Sequence, residues 1–81
     1  MNIQELDRKL NVTGIPKSWY LINEGIKSDT HILEEYSGLW KYYYLDEKGN
    51  IRNECFFKGE SEACQYIYDK LIEIHNHFKH I

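Results

Sequence analysis

A chain of 81 residues, 42 % hydrophobic and 15 % aromatic, is long enough for one small domain, 1–81, around a single core, because each buried aromatic ring removes roughly 150–250 Å² from water. Thirteen acidic residues against ten basic ones leave a formal charge of −3, which opposes nonspecific attraction to nucleic acid and to anionic membranes. No apolar run approaches the roughly 20 residues that cross a bilayer, and the charged, periodic start Met1–Leu10 lacks the apolar centre of a signal peptide, so a cytoplasmic protein is expected.

Residues 2–11 have the pattern of a short amphipathic helix, with Ile3, Leu6 and Leu10 on one face and Gln4, Glu5, Asp7, Arg8 and Lys9 around them. Gly14 and Pro16 end it. Ile15–Ile22 is expected to be a turn or a single helical turn that carries Trp19 and Tyr20 onto the core, and 23–29 reads as loop. His31–Tyr36 forms a first strand, Ser37-Gly38 a tight turn, and Leu39–Leu45 a second strand dense in residues that favour sheets. Alternation divides that strand into Trp40, Tyr42 and Tyr44 on one face and Leu39, Lys41, Tyr43 and Leu45 on the other. Asp46–Asn50 is a turn with Gly49 at an expected positive φ. Ile51–Phe57 returns as a third strand, and the favoured register sets Ile51, Cys55 and Phe57 opposite the Trp40 face in the core. From Glu60 to about Phe78 an apolar stripe of Ala63, Cys64, Ile67, Leu71, Ile74 and Phe78 marks a helix that can cover one face of the sheet. Glu60 and Glu62 suit its positive end; His75, His77, Lys79 and His80 suit the negative one. The expected fold is α+β: an antiparallel sheet of three to four strands with an N-terminal and a C-terminal helix packed on one face.

Reaction chemistry is hard to find in these residues. His77 and His80 would share an ion at i, i+3 on a helix, but His75 points elsewhere and no cysteine or carboxylate at ligand spacing completes a zinc set. The cluster reads as a dipole-compatible helix end, and no metal or other cofactor is expected. Cys55 and Cys64 could form one bridge; in a reducing compartment they read as small apolar side chains. Glu34 and Glu35 are adjacent and face opposite sides of a strand. His31 and Glu35 share a face, yet nothing in the pattern specifies the burial that tunes a catalytic pair. There is no Ser/His/Asp order, reactive-cysteine signature or glycine-rich phosphate loop, and an enzyme is not expected. An aromatic sheet could stack single-stranded nucleic acid, but such platforms interleave rings with Lys and Arg. Here Glu34, Glu35, Asp46, Glu47 and Glu54 surround the rings instead, and packing accounts for most of them.

Three segments carry a family resemblance: Gly14-Ile15-Pro16-Lys17-Ser18-Trp19-Tyr20; Leu39-Trp40-Lys41-Tyr42-Tyr43-Tyr44 with Gly49-Asn50 after the turn; and Phe57 with Glu60-Ser61-Glu62-Ala63-Cys64-Gln65-Tyr66. In order and spacing they resemble small immunity proteins encoded beside bacterial polymorphic or contact-dependent growth-inhibition toxins. The resemblance implies tight noncovalent binding of one cognate toxin, often a nuclease, which is neutralised in the producing cell. Lys58-Gly59 departs from the usual acidic residue before the last helix, and the histidine-rich tail has no place in the pattern. Such families vary most where they touch the toxin, so the matched residues are scaffold and no contact residue carries over by position. The other expectation is a small protein-interaction or regulatory module of a mobile element, without catalysis.

A toxin that holds phosphates has a basic surface, and an inhibitor covering it should present carboxylates. The candidates are Glu34, Glu35, Asp46, Glu47 and Glu54, expected on the loops and strands away from the helix-covered side, with Tyr43 or Phe56 as an exposed aromatic anchor. No nucleic-acid or membrane partner is expected, and the oligomeric state is left open.

Overall fold

The computed structural model describes residues 1–79; His80, the last member of the histidine cluster, lies outside the described residues. Helix α1 spans Ile3–Thr13 and is capped at both ends. The Asn2 side chain accepts the Glu5 N–H at 2.8 Å, satisfying one of the donors a helix start leaves open. Gly14 takes the left-handed conformation, φ 85°, and the N–H groups of Gly14 and Ile15 return to the Leu10 carbonyl at 3.1 and 3.0 Å. Leu6 and Leu10 are fully buried.

A single 3-10 turn, Lys17–Trp19, leads into strand β1, Tyr20–Ile22. The turn agrees with the sequence reading; the strand is new, being too short to display a period of two. Strands β2 (Thr30–Tyr36), β3 (Leu39–Leu45) and β4 (Ile51–Phe57) follow, and the sheet order is β1-β2-β3-β4. β1 runs parallel to β2 and the other pairs are antiparallel, so the expected antiparallel sheet is in fact mixed. The parallel return is made over residues 23–29 with Asn23, Gly25 and Asp29 all at positive φ. Asn23 also donates its N–H to the Leu33 carbonyl (2.9 Å) and accepts the Glu35 N–H on its side chain (2.8 Å), which extends the pairing past the end of β1.

The β2–β3 connection is a two-residue turn in which Ser37 and Gly38 both have positive φ, 50° and 84°, the geometry whose twist matches a hairpin. At the β3–β4 turn the Asp46 carboxylate accepts the N–H groups of Lys48 and Asn50 at 3.0 and 2.8 Å. β4 then departs from the expected register. Tyr42 pairs with Cys55 but Tyr44 pairs with Arg52, so Asn53 and Glu54 together oppose Tyr43. Asn53 takes up the extra residue at φ 55° as a β-bulge. Past it the faces of β4 exchange: Arg52 lies on the side of Tyr44, and Ile51, expected in the core, pairs with Leu45 and is exposed.

Helix α2, Glu60–Lys79, lies across β2, β3 and β4, and α1 packs against α2. Ala63, Cys64, Ile67 and Leu71 are fully buried, Ile74 is half-buried, and Phe78, expected within the stripe, is exposed although its ring meets Trp19 at 5.9 Å. The core joins Ala63, Cys64, Ile67 and Leu71 to Leu6, Leu10, Ile15, Tyr20, Ile22, Leu33, Trp40 and Tyr42. Tyr42 is its centre, fully buried with the Tyr66 ring edge-on at 5.1 Å. All sheet members of this core come from one face. The Cα envelope measures 39 × 31 × 18 Å, and its short axis holds two layers, one of helices and one of sheet. Among the described residues no helix is long and apolar enough to cross a membrane.

Candidate functional site

Neither helix covers the second face of the sheet. Its cross-strand rows, read from the register, are Tyr36–Leu39, Glu34–Lys41–Phe56, Leu21–Ile32–Tyr43, and Thr30–Leu45–Ile51. Ordinary alternation would make such a face polar. Here Tyr36 (61 % exposed), Phe56 (55 %), Ile51 and Leu39 present large apolar surface to solvent, while Ile32 and Thr30 are buried.

The middle of this face is built around a carboxylate. Glu34 is 7 % exposed. Its Oε1 accepts the Tyr43 hydroxyl at 2.9 Å and its Oε2 accepts the Tyr36 hydroxyl at 2.9 Å. Burial, followed by the hydrogen bond to Glu34, pushes the Tyr43 hydroxyl up to about 12; the separate hydrogen bond that Tyr36 makes to Glu34 is the main cause of the rise at Tyr36. Both phenols therefore stay donors at any physiological pH. Lys41, the cross-strand neighbour of Glu34, turns its ammonium to Glu54 (3.4 Å) and over the Tyr43 ring (5.0 Å from its centre). Among the described residues Glu34 belongs to no ion pair.

The candidate residues from the sequence separate accordingly. Glu34, Tyr43, Glu54 and Phe56 share the uncovered face, but only Glu54 and Phe56 are exposed on it. Tyr43, expected as an exposed anchor, is 3 % exposed because its hydroxyl is drawn to Glu34 and its ring lies under Lys41. Glu35 is corrected in position: it falls on the helix side of β2, where its carboxylate accepts the Gly38 N–H at 2.6 Å and holds the hairpin turn. Asp46 is occupied by the other turn and by Arg52 Nε at 3.2 Å, and its hydrogen bonds, that from the Asn50 N–H foremost, hold its carboxyl below the ordinary value. Glu47 is exposed in that turn. Tyr36, which sequence reading passed over, belongs with Glu34; its place two residues along the same strand was the available signal.

A second feature lies on the helix side, where a cleft of about 550 Å³ opens between the end of α2 and the sheet, walled by Trp19, His31, Tyr42, Tyr44, Lys70 and Phe78. His31 Nδ1 and the Tyr42 hydroxyl are 2.8 Å apart. Burial, reinforced by the Lys70 charge, lowers the imidazole from 6.5 to about 4, so the ring is neutral near pH 7. Tyr44 donates its hydroxyl to Asp29 at the mouth. His31 and Glu35, four residues apart on one strand, stand roughly 13 Å apart along it and cannot act on one atom. Burial raises the Cys64 thiol to about 11, the reverse of an activated nucleophile. Cys55 Sγ lies 3.5 Å from the Tyr66 hydroxyl, and both thiols are free. Among the described residues no group of three or more His, Cys, Asp or Glu is placed to hold a metal ion. The chain matches no protein-family model, and no curated protein or solved structure matches it.

Proposed function

We propose that the protein is a cytoplasmic immunity protein, without catalytic activity of its own, that binds a cognate bacterial toxin through the uncovered sheet face and neutralises it. The observation that carries this reading is a sheet face left open by both helices, with Tyr36, Leu39, Ile51 and Phe56 exposed around a buried carboxylate. Exposed apolar patches of this kind mark interaction surfaces, and aromatic anchors ringed by polar groups are how protein interfaces concentrate affinity. The acidic balance suits a partner that is itself basic, and a nuclease, whose surface must hold phosphates, is the toxin class that fits. The resemblance of the Leu39–Tyr44 and Glu60–Tyr66 segments to immunity proteins points the same way.

Co-expression with the product of the neighbouring gene provides the test. The expected result is a stoichiometric complex and restored growth, with an association rate that falls as salt rises. Charge reversal at Glu47 and Glu54 together should slow association about tenfold at low salt while leaving the thermal transition in place. A neighbouring toxin that neither binds nor loses toxicity would overturn the reading. A complex that forms without neutralisation would favour the interaction module of a mobile element instead.

A further inference from the structure

The uncovered face holds a charge that has no counter-ion among the described residues. Removing a carboxylate from water is costly unless it is paired or fully hydrogen-bonded. Glu34 is buried, yet among the described residues only two hydroxyls bond it, one to each oxygen. An ionised carboxylate offers about four acceptor positions, so about two are left. The one cation within its row, Lys41, is engaged by Glu54 and by the Tyr43 ring. Around the carboxylate stand exposed Tyr36, Leu39 and Phe56, an apolar rim of the sort that excludes water from an interface centre.

Resting on the immunity reading, we propose that Glu34, clamped by Tyr36 and Tyr43, is a preformed socket for one arginine of the basic partner. The guanidinium would donate to the acceptor positions that the two hydroxyls leave open on the carboxylate oxygens, and its plane would lie on the exposed Tyr36 ring. Arginine is the chemistry that fits: its planar fork matches a carboxylate held in a fixed orientation, and it is less strongly hydrated than lysine and stacks on aromatic rings. The two hydroxyls fix the carboxylate before the partner arrives, so little ordering remains to be done on binding.

A structural role for the same network predicts something different. Gln at position 34 can accept one hydroxyl and donate to the other, so E34Q keeps the clamp and loses only the charge. The socket therefore predicts an E34Q thermal midpoint equal to or above that of the wild type, together with a loss of toxin affinity of about a hundredfold, the scale of an unpaired charge at an interface centre. Y36F, altered at an exposed position, folds in any case and should weaken binding about five- to tenfold. The free protein supplies a probe independent of the toxin. Titrating N-acetyl-arginine amide to tens of millimolar should move the Glu34 side-chain carboxyl carbon saturably in NMR spectra, and N-acetyl-lysine amide should move it much less. No saturable shift, or an equal one with the lysine compound, overturns the socket. If the arginine probe binds and the neighbouring toxin does not, the immunity reading fails and the socket stands. If the toxin is neutralised and E34Q binds it within threefold of the wild type, the reading stands and the socket is overturned as its anchor.

Discussion

Two polar side chains in this protein, the buried Tyr20 and the half-buried His31, show how far local environment departs from residue type. The Tyr20 hydroxyl is buried and has no hydrogen-bond partner among the described residues, and burial is the first cause of its raised pKa. An unmet buried hydroxyl costs about 1–3 kcal/mol. Tyr20→Phe should therefore raise stability by about 1 kcal/mol, read as a higher urea midpoint at unchanged slope. His31 behaves as a stabilising group with a pH limit. Its value in the folded protein, about 4, lies below the ordinary 6.5, so the unfolded chain takes up a proton first. Its contribution is complete above pH 6.5 and is lost progressively as pH falls through 4. Replacing His31 by Gln should flatten the acid side of the stability curve across that window, and an NMR titration of the ring should place its midpoint well below 6. Sequence reading put Glu34 and Tyr43 on the correct side of the sheet and was wrong about their exposure. Periodicity reports the direction of a side chain; a hydroxyl-to-carboxylate bond across strands depends on register, which periodicity does not contain.

Among the elements, legibility followed length. The twenty-residue α2 and the seven-residue β3 and β4 repeat their periods often enough to be read, and their bounds agree with the sequence to within a residue or so. The three residues of β1 do not complete a pattern, and their pairing depends on the left-handed positions at Asn23, Gly25 and Asp29. The bulge at Asn53 was equally invisible, and its cost was the misplacement of Ile51, because one inserted residue exchanges the faces of the strand between its two sides, and Ile51 lies across the bulge from Cys55 and Phe57. The stripe of α2 is where the helix layer is held to the sheet. Ile67→Ala or Leu71→Ala should each cost about 2–5 kcal/mol, since both side chains are fully buried. Phe78→Ala, at an exposed position, should cost well under 1 kcal/mol; chemical denaturation of the three variants checks the ranking.

At the scale of the whole molecule, one layer of helices serves one face of one sheet, and the other face is left to do something else. Composition and charge suggested a protein that meets a basic partner, but they could not say which surface meets it. The separation of Glu35 and Asp46, which hold turns, from Glu54 and Phe56, which stand open on the sheet, needed the register. A fold of this kind also has two free sheet margins, and unpaired margins invite other chains to add strands. β1 limits the risk by being short. On the opposite margin, the left-handed Asn53 kinks β4 so that no straight ladder of donors and acceptors is presented along its full length. Deleting Asn53 would straighten that margin and turn it into a template: the shortened protein should form β-rich aggregates that bind thioflavin at concentrations where the parent stays clear.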